Sequence, residues 1–539
     1  MNQNSPCVQS NHVHTLISNY LKHYAQTTPN REAVVFGNQR LTYAELHTQV
    51  QQCAKALLAM YIKKGDRVAM LCTSRTEYWV VFLATTSIGA IWLGLNPKYR
   101  LQECRYVLED ARPTLLFAMA EFEGRCYQET IDTVQKDYGF VTQVIALTSP
   151  MPGTLSFSDF LASADTVSEQ SLSASQSQVE RLDPALLVYT SGSTGQPKGA
   201  LLSHYGLCFG STVQNQHFLV KQPRIICSFP INHAACVADS CCVNLVAGGT
   251  LVFHERFDPA LVLQTINRER ITVLGGVPTM LLMLLEHPAF ESTDFSTLEL
   301  IVWGGAALPV PVIKRLQALA PRLMNIYGMT ETAANTTYSS PDADLIELSE
   351  TIGRPSPQMP CRIINTQGEP CAVGEHGELQ FKGDYLLLEY LNRPEATRDV
   401  YTEYGWLHTG DLGYWRENGT ISLVGRMSDM FKSGGYNVYP REIEQLLESH
   451  PAVDMAAVVG VPDPRYQEVG VAYIIPRSDS DDKGSEALTV DALKTFCKDK
   501  LANYKVPKIF TFVDEMPLLP VGKVDKVTLK QRANAEKIE

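Results

Sequence analysis

No run of about twenty clean apolar residues, the length a bilayer-spanning helix needs, occurs in this 539-residue chain. The longest apolar stretches, 80–95 and 235–253, are broken by Thr, Ser and Gly and, in the second, by Asp239 and Asn244. Basic charge is in deficit: Lys+Arg 46 against Asp+Glu 58 leaves a net charge of −12. That excludes a general polyanion binder, because a phosphate backbone needs a basic face. It leaves open a local phosphate site built from backbone amides. The thirteen cysteines are odd in number and too few for a disulfide scaffold, and none has the spacing of a zinc site. They read as reduced core residues of a cytoplasmic protein. Residues 1–10 show no basic segment followed by an apolar one, and 537–539 form no address signal.

With 45% hydrophobic and 19% charged residues, the chain can bury a large core without covalent staples. Its length predicts about three or four structural units. Residues 163–178 hold six serines and predict an exposed connection. Helices are predicted over 14–26 and 43–60. Apolar strands at 186–190 and 300–303 run into Gly-rich turns, which points to α/β layering, with ligands beyond the carboxyl ends of the strands. Past 426 the pattern changes. Pro440 suits a first helical turn, Ile443, Leu446 and Leu447 share a face, and strands are predicted at 455–461, 471–475 and 509–513. The predicted fold is a large layered α/β body over 1–426, followed by a small α+β domain over 427–539 with a loose loop at 477–487.

The strongest local signal is Tyr189-Thr190-Ser191-Gly192-Ser193-Thr194-Gly195-Gln196-Pro197-Lys198-Gly199-Ala200. Glycines and hydroxyls crowd in directly after an apolar strand. Glycine lets successive amides point inward, hydroxyls add donors, and Lys198 adds one cation. The spacing is not that of a Walker A loop.

This segment closely resembles the phosphate loop of the adenylate-forming superfamily, which comprises acyl-CoA synthetases, adenylation domains and firefly-type luciferases. Further matching segments follow in order: Phe229-Pro230-Ile231-Asn232-His233, Gly304-Gly305-Ala306-Ala307-Leu308-Pro309, Asn325-Ile326-Tyr327-Gly328-Met329-Thr330-Glu331-Thr332, Thr409-Gly410-Asp411, the stretch 425–444, and Pro520-Val521-Gly522-Lys523. The joint order is far more specific than any one of them.

The resemblance implies an ATP-dependent acid–CoA ligase. A carboxylate is a poor electrophile, so it is first joined to AMP with loss of pyrophosphate. CoA then takes the acyl group as a thioester and AMP leaves. By resemblance, Thr190, Ser191, Gly192, Ser193, Thr194 and Lys198 hold the β- and γ-phosphates, and Glu331 is the Mg²⁺ ligand, a hard oxygen suited to that ion. Thr330 contacts the α-phosphate. Tyr327 and Gly328, with the Gly304, Gly305 and Ala306 backbone, receive adenine, while Asp411 and Arg426 hold the ribose. Two carboxylate oxygens match a vicinal diol. Lys523 bridges the substrate carboxylate and the α-phosphate during adenylation, where charge builds.

In this superfamily the small domain rotates after pyrophosphate leaves and presents the segment matching Lys432, Ser433, Gly434 and Gly435, which would line the pantetheine path. The hinge departs from the family pattern: Ser428 stands where Asp or Lys is usual. A cluster of Lys494, Lys498, Lys500, Lys505 and Lys508 could attract the phosphates of CoA, but is read first as a solvated face.

For the acid itself, His233 and Val237 resemble one wall of the acyl pocket and Trp303 another. The absence of Lys and Arg in this stretch suggests an apolar acid: aryl, alicyclic or medium-chain. A second reading keeps adenylation but loads a carrier protein in trans. A luciferase-type oxygenase has nothing specific in its favour. A non-catalytic scaffold is disfavoured because Lys198, Glu331, Asp411, Arg426 and Lys523 are all present. A homodimer is common in the superfamily.

Overall fold

The structure, a computed structural model, describes residues 14–190, 197–477, 488–518 and 524–536. Two large sheets form the main body. A nine-stranded sheet runs, from one edge, through Arg354–Pro355, Ala334–Tyr338, Leu323–Met329, Leu300–Gly304, Val273–Gly276, Arg224–Cys227, Thr250–Phe253, Glu32–Phe36 and Gln39–Thr42. Its middle is parallel, with antiparallel strands at the edges. An eight-stranded sheet sets Pro184–Thr190 parallel to Ile91–Leu95 and antiparallel to Lys198–Ser203, which pairs in turn with the edge strand Glu389–Tyr390. Parallel strands buried on both faces explain the near-continuous apolar runs in the sequence.

The largest core fills the space around the eight-stranded sheet and reaches the inner face of the nine-stranded one, with Trp79, Phe82 and Trp92 at its centre. Trp79 and Phe82 stack at 5.1 Å, and Phe82 meets Trp92 edge-on. The helix Tyr43–Ala59 packs here. It starts at Thr42 because a reciprocal capping box with Glu45 satisfies both orphan donors, an arrangement worth about 1 kcal/mol. Along Leu300–Gly304 the side chains alternate between cores. Leu300 and Val302 point to one face, Ile301 and Trp303 to the other, where helices Pro259–Glu269 and Val310–Gln317 cover the sheet.

A four-stranded antiparallel sheet follows: Cys361–Ile364, Gly377–Phe381, Leu407–Trp415, Ile421–Arg426. The chain leaves it at Arg426 and enters the last sheet at Phe431. That sheet is centred on the long hairpin Val453–Asp463/Gln467–Pro476, with Ile509–Phe512 parallel to it. One face is covered by Pro440–Glu448 and Val490–Lys498, through Ile443, Leu447 and Leu493. The other is covered by Lys526–Glu536, through Leu529 and Ala533. Pro440 does open its helix.

The Ser-rich stretch 163–178 is mostly exposed, as its composition predicts, but it is not irregular. It forms a 3₁₀ turn, Ser163–Thr166, and a helix, Glu169–Gln176. Ser168 caps this helix by accepting from the Ser171 amide at 3.1 Å, and Leu172 is buried beneath it. Here serine acts as a cap, not as a loop former. Residues 478–487, most of the predicted loose loop, lie outside the described residues.

Candidate active site

The candidate site residues gather where several strands end. Thr190 closes its strand and pairs directly with Lys198 across the hairpin; Ser191, Gly192, Ser193 and Thr194, between them, lie outside the described residues. The hairpin's exit is tied down by the Tyr106 hydroxyl, which donates to the Pro197 carbonyl at 2.6 Å. The Tyr189 hydroxyl donates to Asp110 at 2.8 Å. Lys198 Nζ sits 5.3 Å from the centre of the Tyr390 ring, a cation–π distance. The Tyr390 hydroxyl donates to Glu331 Oε1 at 2.7 Å, and the Glu331 carbonyl accepts from the Leu387 amide at 2.8 Å. One edge strand therefore links the loop lysine to the buried Glu331 carboxylate. Burial, with the Glu331 charge added to it, pushes the Tyr390 phenol far above its usual range, so it stays a donor.

Thr330 and Glu331 stand on a single 3₁₀ turn, Thr330–Thr332. The turn is held by Thr332 Oγ1, which accepts from the Met329 amide at 3.0 Å. Immediately before it, Tyr327 donates its hydroxyl to Asp411 Oδ2 at 2.6 Å. Asp411 Oδ1 accepts from Arg426 Nε at 3.0 Å. Asp411 and Arg426 are cross-strand partners in register, so the antiparallel pairing itself sets their meeting. Asp411 is the main cause holding Arg426 firmly protonated, and Tyr327, Asp429 and Glu331 add to it. Glu331 and Arg426 thus share one electrostatic neighbourhood. Arg426 stays half-exposed along its side chain while Asp411 is buried; the buried end governs the strength of the pair.

Gly304 pairs with Ile326 on the neighbouring strand, which brings Gly304, Gly305 and Ala306 beside Tyr327 and Gly328. A Cβ on Gly304 would stand 2.9 Å from the Ile326 carbonyl oxygen, and one on Gly328 2.5 Å from that of Ala334. Both positions therefore require glycine. Gly305 and Ala306 are exposed.

Lys432, Ser433, Gly434 and Gly435 are placed elsewhere. Ser433 is buried, Lys432 is exposed, and Gly434 (φ 58°) and Gly435 (φ 86°) make the tight turn into Tyr436–Val438, where positive φ favours glycine. Their partners, Glu468 and Tyr466, belong to the hairpin 453–476 of the same small sheet, Tyr466 in its turn. Lys523 lies outside the described residues, but its flanks do not. Leu518 bridges Val524, and Lys526 ion-pairs with Glu444 at 2.7 Å. Burial opposes ionisation of Glu444, but Lys526 and Arg441 outweigh it and hold the carboxyl below its usual range. Among the described residues the Ser428 hydroxyl donates to its neighbour Asp429, at 3.2 Å. Of the lysine cluster, Lys505 pairs with Glu442 and Lys500 lies over the Phe496 ring.

The acyl-wall residues divide. His233 caps the short helix Ala234–Cys236, its Nδ1 accepting from the Ala235 amide at 3.1 Å. Neutral, it then carries its proton on Nε2. Val237 is not on an open face: it is fully buried in the main core. Trp303 is buried on the far face of the nine-stranded sheet, away from Val237. Between His233 and Leu245 the partly exposed residues besides His233 are Ala235 and Asp239, about one helical turn apart. Sequence reasoning placed Ala235 only within the segment following His233 that resembles an acyl-pocket wall, and it missed Asp239 and Tyr390. The single acidic residue in an apolar run was a visible sign for Asp239; nothing in the pattern marked Tyr390.

Residues 21–391 match the family described as AMP-binding enzyme, and residues 442–523 match its C-terminal domain. A feruloyl-CoA synthase of Amycolatopsis sp is 34% identical over 511 residues, covering 94% of this chain and 97% of that one. The human mitochondrial medium-chain acyl-CoA ligase ACSF2 is 32% identical over 533 residues, covering 94% and 86%. The crystal structure of ATP-bound MatB from Rhodopseudomonas palustris superposes with a TM-score of 0.80 at 28% identity, covering 96% and 98%. The chain belongs to the AMP-binding enzyme family, in the acyl-CoA synthetase branch of the adenylate-forming superfamily. It is an ATP-dependent, AMP-forming acid–CoA ligase that works through an acyl-adenylate.

Proposed function

We propose that the residues gathered above carry the two half-reactions in distinct roles. The observation that carries this reading is the chain of contacts Lys198–Tyr390–Glu331 beside Tyr327–Asp411–Arg426. Lys198 and the backbone after Thr190 take the outer phosphates. Glu331 keeps one carboxylate oxygen bonded to Tyr390 and has the other to offer, which fits a hard divalent cation. Mg²⁺ held there with ATP would offset phosphate charge. Thr330 donates to the α-phosphate. Asp411 has a second lone pair on each oxygen for the ribose hydroxyls, with Tyr327 and Arg426 fixing its orientation. Adenine lies between Tyr327 and the backbone of 304–306. His233 meets the acid near its carboxylate.

Lys523 brings its ammonium to the acid carboxylate and the α-phosphate, and 427–539 moves as a unit so that 432–435 can replace it for thiolation. Its support is the motif order and the separate sheet and cores of that segment. Among the described residues no helix is long and apolar enough to cross a membrane, and the twelve described cysteines are all free. A reducing cytoplasm suits them, and family resemblance suggests a homodimer.

CoA is the acceptor in this reading. A panel of aryl, alicyclic and medium-chain acids should give AMP formation that rises at least about tenfold on adding CoA, since adenylate release otherwise limits turnover. Equal stimulation by a carrier-protein thiol, with CoA inert, would favour the loading enzyme instead.

A further inference from the structure

We propose that Asp239 sets the substrate class: the acid activated here carries a hydrogen-bond-donating group, an ammonium or a hydroxyl, at the end distal to its carboxylate. This rests on the adenylation reading and deepens it. From His233 the chain makes the helical turn Ala234–Cys236, widens into a π-helix over Val237–Cys242, and returns to α-helix over Val243–Ala247. A π-turn inside an α-helix is rare and is frequent at functional sites. His233, Ala235 and Asp239 are the partly exposed residues along it, while Cys236, Val237, Ala238, Ser240, Cys241 and Cys242 are buried. Asp239 lies four residues beyond Ala235 and so shares its side of the helix, while His233 caps the N-terminal end of the same segment. Six residues of helix separate His233 and Asp239, on the order of 9 Å.

A polar group lies beside its backbone, where a fatty-acid tunnel would be apolar throughout. The Asp239 carbonyl accepts from Gln214 Nε2 at 3.2 Å, and Gln214 Oε1 accepts from Asn335 Nδ2 at 3.0 Å. Asn335 lies on the strand Ala334–Tyr338 that follows the Thr330–Glu331 turn, so this polar group adjoins the reaction centre. The Tyr338 hydroxyl is already committed to the Asn335 carbonyl at 2.7 Å. Among the described residues the Asp239 carboxylate itself has no hydrogen-bond or ion-pair partner. Burial pushes that carboxyl up to about 7, and its ionisable neighbours, Tyr338 and Cys242, are acids. An enclosed carboxylate without a donor is costly. It becomes favourable once a ligand brings the donor, and it then rejects analogues that leave it unpaired. Ala235, one turn away, leaves the path open.

The test uses the full chain and length-matched acids ending in a methyl, a hydroxyl or an ammonium group, read by ATP–pyrophosphate exchange without CoA. The parent enzyme should favour a donor-bearing acid over its methyl analogue by at least about 100-fold in kcat/KM, as a site built around a buried polar group does. Asp239→Ala should erase that preference. Asp239→Asn should keep the hydroxyl acid and lose the ammonium acid, which separates the cationic from the neutral class. Both variants should melt no lower than the parent, because an unpaired enclosed charge has been removed. A parent that prefers the methyl acid, an unchanged preference in Asp239→Ala, or a lowered Tm in both variants would overturn the proposal. Exchange with none of the acids would instead count against the adenylation reading itself.

Discussion

Replacing Lys523 by alanine should reduce ATP–pyrophosphate exchange by roughly 10³-fold or more, while thioester formation from supplied acyl-AMP and CoA stays within about twofold of the parent. The magnitude is what loss of a charge-stabilising group at a developing anion costs. During adenylation two anions, the acid carboxylate and the α-phosphate, must meet while negative charge accumulates on the phosphorus. One flexible ammonium between them lowers that barrier. In thiolation the electrophile is already made and pyrophosphate is gone, so the same ammonium has nothing to bridge. The asymmetry is the informative part. Stopped assays with synthetic adenylate would measure it, and equal loss in both halves would mean that Lys523 supports the fold, not one step.

The second large effect belongs to Asp411. Asp411→Asn should raise the KM for ATP on the order of 10²- to 10³-fold, the cost of removing one partner of an enclosed charge pair. The Tyr327 hydroxyl can still donate to the amide oxygen, so the ring keeps its place. Arg426 would instead face an amide NH₂ across 3.0 Å, donor against donor. The ribose would lose one acceptor oxygen as well. Because Arg426 is half-exposed it can turn to water, so the fold should tolerate the change and Tm should move little. Initial-rate kinetics with varied ATP, alongside a melting curve, separate the two. An unchanged KM would remove Asp411 from the nucleotide site.

Much of this site was readable because its chemistry needs unusual residues in unusual order. The Gly, Ser and Thr run after an apolar strand, Glu331 on its turn, and the Asp411 and Arg426 segments all carry composition that packing alone would not choose. The strands after residue 426 were readable for a different reason: short runs rich in Val, Ile, Phe and Ala between turn signals have few other uses. The acyl wall was not readable. Leu300–Gly304 is buried on both faces, so alternation gives no clue to which side Trp303 takes. Likewise the apolar run after His233 has no polar stripe to show its open face, and a π-turn shifts the angular positions that an α-helical period would assign. Tyr390 acts from an edge strand of two residues, 59 positions from its partner Glu331. Only the pairing of that strand with Lys198–Ser203 brings it in.

The expectation of an apolar acid came from the lack of Lys and Arg near His233. The proposed role of Asp239 turns the substrate question from chain length to the group at the far end, since a carboxyl can discriminate as a cation can.

The most direct measurement is a single-turnover trap. Enzyme, ATP, Mg²⁺ and an accepted acid are mixed without CoA and quenched, and the bound species is identified by mass spectrometry; CoA is then added to a parallel sample. The account predicts one equivalent of acyl-AMP per site with one equivalent of pyrophosphate, converted on CoA addition to acyl-CoA and AMP at a rate no slower than steady-state turnover. Acyl-CoA formation without a trapped adenylate, or release of ADP and phosphate in place of AMP and pyrophosphate, would contradict it.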